Sequence, residues 1–414
     1  MTMKLRERAK RVLPQQRELR IMSASSLVNT FGNGLFYTIE IIFLTRSVGL
    51  SPHQVGLGFT IGALIGLPMS IPAGYFAHKV NIRYWVTISS IIQGLIAASF
   101  IFIHSFAIFL TLTIFVDVMV TVTQTLRMIY INEIGGEGEA RVRFRAYQRA
   151  VTNLGIGLGT AFAGIALILN SKSAYSTLVV INGATFVIAG LIYLKLPDVI
   201  ISKVESDPAT TRASRLVALR DRKYLSAVLL NAIYSTHFVI QSVGLPLWII
   251  NYTNAPKWSV SAVLLVNTIA CVIFSVRASK GTGENVKAAR IFFRAGVFVA
   301  AGCGLYAFAQ GKAPWIAILL LLLGMGLHVT GELLGSAAGW AFGFGLARPG
   351  YEAQYQGVWQ LSWGLGGILG PVLITSLVVD FQKLGWLILG AIFIASTYLF
   401  IPLVNSMRNQ VRNP

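Results

Sequence analysis

Charge is what this sequence has least of. Only 12% of its 414 residues are Asp, Glu, Lys or Arg, about half the share usual in a soluble domain. A soluble chain of 45.0 kDa could not cover its surface with so few charges. A bilayer lifts that requirement, because lipid tails accept an apolar exterior. There are two cysteines, Cys271 and Cys303, both inside apolar runs, which gives neither a disulfide framework nor a metal-binding spacing. A phosphate loop, a paired zinc-ligand motif and a nucleophile elbow are absent as well. An ATP-driven pump and an intramembrane enzyme are therefore not expected, and neither is a cofactor or a metal. The basic start leads into a span of full length rather than a short apolar core with a small-residue cleavage site, so a cleaved signal peptide is not expected.

What is present is hydrophobic: 55% of the residues, with a mean hydropathy of +0.68. A spanning helix needs about 20 mainly apolar residues. The chain divides into twelve such runs, at about 21–47, 53–76, 84–104, 107–131, 147–170, 174–196, 224–250, 258–277, 289–309, 313–336, 355–379 and 384–405. The expected fold class is an all-α membrane protein with two six-helix halves, residues 1–196 and 224–414, joined by a linker at 197–223. The net charge of +19 invites a nucleic-acid reading, but its distribution argues otherwise. Of the 34 Lys and Arg, 29 fall at the termini and in the loops expected to face the cytoplasm. Arg46, Lys172, Lys257, Lys312 and Lys383 lie at the opposite ends. By this asymmetry both termini are expected in the cytoplasm, with the lipid bilayer rather than nucleic acid as the partner.

An internal repeat supports the two halves. Tyr147-Gln148 opens the fifth run and leads into Gly155, Gly157 and Gly159. Tyr355-Gln356 opens the eleventh, 208 residues later, and leads into Gly366, Gly370 and Pro371. Small residues at these positions let helix backbones approach and slide; simple tight packing would use the same residues.

Three acidic residues lie within apolar runs: Glu40, Asp117 and Glu332. A charge at the bilayer centre costs about 2.5–3.5 kcal/mol or more, so each is a candidate for proton coupling. Asp117 lies near the middle of the fourth run, with Thr121 and Gln124 at i+4 and i+7. It would exchange a proton or bind a cationic substrate, and the alternative is a structural carboxyl bonded to a neighbouring helix. Glu332 has His328 one turn earlier on the same face, and a carboxyl beside an imidazole can pass a proton; the alternative for His328 is a hydrogen bond to a carbonyl. Glu40 shares a face with Asn33 and Tyr37, as a substrate contact, an outer gate closing against Arg46, or an interfacial carboxyl. His237 and Gln241 form an i, i+4 pair that either lines a cavity or bonds between helices. Of the aromatics Phe36, Tyr37, Tyr234, Trp248, Trp340, Trp359 and Trp363, most are expected to face lipid or the interface.

With these residues the chain resembles the major facilitator superfamily, and within it the twelve-span bacterial drug:proton antiporters. The family's loop between spans two and three reads roughly G-x-x-x-D-R/K-x-G-R/K-R/K. Here Gly74, Lys79 and Arg83 match, while His78 stands in place of the Asp and Asn81 in place of the Gly. The family's Asp latches this loop to a neighbouring helix end, and His78 is not a fixed anion. The run from Arg149 to Gly159 is similar to the antiporter glycine motif without its Gly-Pro pair. A literal G-x-x-x-G-P occurs at Gly366 to Pro371. Gly331-Glu332-Leu333 resembles a triplet of related exporters. The family often carries an Arg in the middle of span four, a region held here by Asp117, with Arg127 almost three turns later. The resemblance implies alternating access and proton-coupled efflux of a small lipophilic or cationic substrate by a monomer. A proton-coupled importer of a small nutrient and a non-transporting receptor remain as alternatives.

Overall fold

Short polar side chains start the helices. Ser51 Oγ accepts from the Gln54 backbone N–H at 3.2 Å while the Gln54 side chain accepts from Ser51 N, a reciprocal cap. Asn81 Oδ1 accepts from Arg83 N at 3.1 Å, Ser171 Oγ from Ala174 N at 3.2 Å and Asp221 Oδ1 from Tyr224 N at 3.1 Å. Each uses one of the N–H groups a helix start leaves over. The hairpins reverse at glycines in the left-handed region, such as Gly49 (φ 88°) and Gly311 (φ 74°), a conformation a Cβ penalises.

The protein is described here by a computed structural model covering residues 16–169, 171–199 and 217–412. The chain is all-helical. Among the described residues, eleven helices are long and apolar enough to cross a membrane. In chain order with the helix Glu139–Leu169, these are α1 (Arg17–Ser47), α2 (Gln54–Lys79), α3 (Ile82–Phe102), α4 (Phe106–Ile134), α5 (Glu139–Leu169), α6 (Lys172–Tyr193), α7 (Arg222–Tyr252), α8 (Ser259–Ala278), α9 (Asn285–Ala309), α10 (Pro314–Gly345), α11 (Glu352–Asp380) and α12 (Gln382–Met407). In α5 the residues after Arg149 carry no charge.

The chain forms two compact units: Met1–Gly136 with Tyr147–Ser206, and Glu137–Ala146 with Asp207–Pro414. The start of α5 thus groups with the second unit, where Gly281 N donates to Glu139 Oε2 at 3.3 Å; the division at 196 expected from the sequence treats it as part of the first half. The expected linker at 197–223 falls mostly on 200–216, outside the described residues. In the first unit α1 packs on α6, α3 on α6 and α4, and α2 on α4. In the second, α7 packs on α12, α9 on α12 and α10, and α8 on α10. The second set is the first shifted by six helices.

Glycines bring α5 against α1 and α11 against α7. A Cβ at Gly155 would strike Thr30 and Leu27, and one at Gly159 would strike Phe31, Gly34 and Leu35. In the second unit, Gly366 meets Ser235 and Ala232, and Gly370 meets Val239. Gly157 does not take part: a Cβ there has no neighbour within 4 Å, because two residues along a helix is about 200° around it. Pro371 lies inside α11, one residue past Gly370.

The aromatics expected at the lipid interface are mostly inside. Phe36, Tyr234, Trp248, Trp340 and Trp359 are buried, because interhelical hydrogen bonds and ring stacking use them: Trp248 Nε1 donates to the Tyr306 carbonyl at 2.8 Å, and Tyr234 Oη donates to the Gly331 carbonyl at 2.9 Å. Among the described residues, three helices contain a wider π turn: α1 at Phe43–Ser47, α7 at Ile240–Gly244 and α11 at Ser376–Asp380. In α7 the turn precedes Pro246, whose ring denies the helix a hydrogen bond and crowds the preceding turn.

Gly159→Leu is expected to lower the apparent melting temperature in detergent, with an overpacking cost of about 1–3 kcal/mol. Gly157→Leu should leave it nearly unchanged, and equal effects of the two would contradict this packing.

Candidate functional site

The apolar sequence of α4 carries one stripe of polar residues, and that stripe faces a cavity of about 330 Å³ in the first unit. From α4 it is lined by Thr113, Asp117, Thr123, Gln124 and Arg127, and from α1 by Asn29, Asn33, Tyr37 and Glu40. α3 adds Gln93, and α6 adds Asn182. Phe36, Phe59, Phe100 and Phe186 supply aromatic wall. Glu40 and Asp117, 77 positions apart in the sequence, thus share one chamber. Two like charges in one chamber repel, and a proton or a bound cation removes that repulsion.

Several polar atoms of the lining are unspent. Asn29 Nδ2, Thr113 Oγ1, Arg127 Nε and Asn182 Oδ1 are buried without a hydrogen-bond partner in the protein. Buried polar groups are normally paired, so these atoms are donors and acceptors available to a solute or to water. The Arg127 guanidinium also lies over the Tyr193 ring at 5.2 Å, which holds it against α6.

Thr121 is not part of the lining. At about 100° per residue the lining arc of α4 extends from Asp117 towards Val120 and Thr123, and Thr121 lies about 40° to the other side of Asp117. Its carbonyl accepts from Thr125 Oγ1 at 2.8 Å. Asp117 itself is received by two glycines of α2: a Cβ at Gly62 would strike the Asp117 carboxylate, and one at Gly66 would strike its backbone and Cβ.

The second unit gathers His237, Gln241, His328 and Glu332 into one buried cluster between α7 and α10. His237 Nδ1 lies 3.2 Å from His328 Nε2, and the two rings are 5.3 Å apart. Both imidazoles are fully buried, and Glu332 is 2% exposed. Glu332 Oε2 accepts from the Gln241 side-chain amide and from Asn267 Nδ2 at 2.7 Å. Cys271 Sγ is 3.7 Å from Glu332 Oε1. The irregular stretch of α7 around Thr236–Gly244 is where His237 and Gln241 project. Asn267 and Cys271 of α8 belong to this cluster and were not foreseen. Their i, i+4 spacing on an apolar helix is the only sequence signal for them.

The α2–α3 loop is tied down by an anion that sequence matching missed. Arg83 Nη2 pairs with Asp198 Oδ1 at 2.8 Å, Asn81 Nδ2 donates to the same oxygen at 2.5 Å, and Arg83 Nη1 donates to the Leu196 carbonyl at 3.0 Å. Asp198, beyond the end of α6, supplies an anionic latch on this loop. His78 packs edge-on against Tyr75 at 5.7 Å, Lys79 lies over Phe76 at 5.2 Å, and Gly74 is buried. The second unit has a related tie: Asp221 Oδ2 accepts from Arg348 Nε at 3.2 Å and Tyr355 Oη at 2.9 Å.

The family model described as Major Facilitator Superfamily matches residues 22–371. No curated protein matches the chain. Among solved structures, the chain is similar to the Escherichia coli fucose:proton symporter, with a TM-score of 0.73, 16% identity and coverage of 93% of this chain and 98% of that one. A human organic anion transporter gives 0.69, 14%, 94% and 100%. A proton:xylose symporter gives 0.65, 13%, 93% and 95%.

Asn267→Ala is expected to destabilise the protein by about 1–3 kcal/mol, because it takes a donor from a buried carboxyl. Lys287→Ala, which removes the exposed pair with Glu284 at 3.1 Å, should leave the melting temperature unchanged. Equal shifts for both would contradict the role given to Asn267.

Proposed function

Since the chain belongs to the major facilitator superfamily and is a multi-pass secondary transporter, we propose that it is a proton-coupled exporter of small lipophilic or cationic molecules. The observation that supports this most directly is the shared chamber of Glu40 and Asp117, walled by aromatic rings. Its volume is at the small end of the range of ligand pockets. A cation is attracted by the two carboxylates and by the ring faces. A proton arriving on Asp117 removes one of the two negative charges and weakens that attraction. Proton and substrate then compete for one site, which is the chemistry an antiporter needs. Coupling further requires that the proton bind the two conformations with different affinity. A carboxyl near the middle of α4 meets this condition when one conformation opens it to water and the other closes it off. The literal G-x-x-x-G-P of α11 and the Gly331-Glu332-Leu333 triplet of α10 add the exporter resemblance. The setting we propose is a bacterial inner membrane, with cytoplasmic termini and a monomeric protein.

In the same scheme Glu332 and His328 form a second protonatable group at mid-span in α10, and Asn33, Tyr37 and Gln124 contact substrate. The loop containing Gly74, His78, Lys79 and Arg83 acts as a cytoplasmic gate element, with Asp198 as its anion.

A second reading has one specific observation in its favour. Five side-chain amides, Asn29, Asn33, Gln93, Gln124 and Asn182, line the chamber, and amides are suited to hydroxyl-rich solutes. That reading is proton symport of a small polar nutrient.

In proteoliposomes with an imposed pH gradient, tetraphenylphosphonium or ethidium is expected to move against the proton flow. Asp117→Asn should slow this movement by about tenfold or more. Concentrative uptake of a labelled sugar along the proton gradient, with no movement of either cation, would replace export by the nutrient reading.

A further inference from the structure

The buried cluster of the second unit has a composition that proton coupling does not by itself require. Three side chains each offer one metal-ligand atom, and the three atoms lie within 4.8 Å of one another: a His237 nitrogen, a His328 nitrogen and a Glu332 carboxylate oxygen. His237 Nδ1 and His328 Nε2 share a hydrogen bond at 3.2 Å, whose proton a metal ion would displace. Two ligands bound to one tetrahedral ion at 2.0–2.1 Å stand about 3.3 Å apart, so the imidazole pair already has the spacing of one edge of such a site. His328 and Glu332 come from one face of α10, four residues apart, and His237 from the irregular turn of α7.

We propose that His237, His328 and Glu332 form a binding site for one divalent transition-metal cation of the zinc or cobalt class. Two imidazole nitrogens disfavour calcium and magnesium, which take oxygen ligands, whereas nitrogen with one carboxylate oxygen suits zinc. The surroundings supply the second layer that metal sites use to orient a ligand. Gln241 and Asn267 both donate to Glu332 Oε2, and the Cys271 thiol lies against Oε1. Tyr306 packs its ring 6.2 Å from that of His328. Its hydroxyl and His328 Nδ1 are buried polar atoms with no hydrogen-bond partner in the protein. Three protein ligands leave a fourth position for water or a solute, as in sites that exchange a ligand rather than closed structural sites. The cluster lies near the middle of α7 and α10, the depth at which transporters bind their cargo and coupling ions. The inference goes beyond the proposed export and does not depend on its direction.

The test uses full-length protein in detergent, freed of any histidine tag and stripped with a chelator, then titrated with Co²⁺. Binding of about one Co²⁺ per chain, with the intense visible absorption of a tetrahedral ion and displacement by Zn²⁺, is expected. His328→Ala and Glu332→Gln should each weaken it by about tenfold or more, while Asp117→Asn should bind as wild type does. Melting curves recorded without metal check that the variants fold; if His328→Ala does not, His237→Gln carries the same expectation. The proposal is overturned if the spectrum stays that of aqueous Co²⁺, or if binding survives in folded cluster variants. Transport in the presence of chelator reads the exporter proposal separately, so either can fail alone.

Discussion

Hydrocarbon solvates neither a charge nor an unpaired backbone group, and every feature of this protein follows from that constraint. It requires helices wherever the chain crosses the bilayer, and among the described residues every regular element is a helix. It confines the 34 basic residues largely to helix ends and loops. It also makes the few acidic residues within spans informative, because each has to be provided for by its neighbours. Glu332 is provided for by two amides and a thiol, next to a pair of imidazoles. Glu40 and Asp117 share a polar chamber.

The two provisions sit on corresponding helices. The first unit builds its chamber mainly from α1 and α4, and the second builds its cluster from α7 and α10, the same helices shifted by six. The glycine contacts repeat as well, with α5 against α1 through Gly155 and Gly159, and α11 against α7 through Gly366 and Gly370. A repeated scaffold has therefore been given two different chemistries: an open chamber with carboxylates, amides and aromatic wall in one unit, and a closed imidazole–carboxylate cluster in the other. The two are put to separate proposed uses, the chamber for a small organic solute and the cluster for a metal ion.

The fold was legible because hydropathy and the asymmetry of Lys and Arg are summed over long segments, and local irregularities do not disturb them. The acidic residues of the chamber and the cluster were legible for the same energetic reason, since Glu40, Asp117 and Glu332 interrupt apolar runs. Neutral polar partners were not. Gln93, Asn182 and Asn267 look like many other residues in these helices, and only the packing of α3 and α6 brings the first two into the chamber, and that of α8 the third to Glu332. Thr121 and Gly157 show the limit of spacing arguments: a face is an arc, and the sequence does not say on which side of Asp117 or Gly155 the neighbour lies. The buried tryptophans were misjudged because Trp248 and Trp359 have the composition of an interfacial belt, and tertiary contacts put them in the interior. Asp198 is not legible from the motif around His78, because the anion comes from beyond α6.

The central claim is that proton and substrate exchange across one site. It is tested most directly by driving the cycle backwards. Proteoliposomes containing an internal pH dye are given a gradient of tetraphenylphosphonium and no initial pH difference. Antiport predicts that the dye reports protons moving opposite to the cation, and that Asp117→Asn abolishes this signal. Movement of the cation down its gradient with the internal pH unchanged in the wild type would contradict the claim.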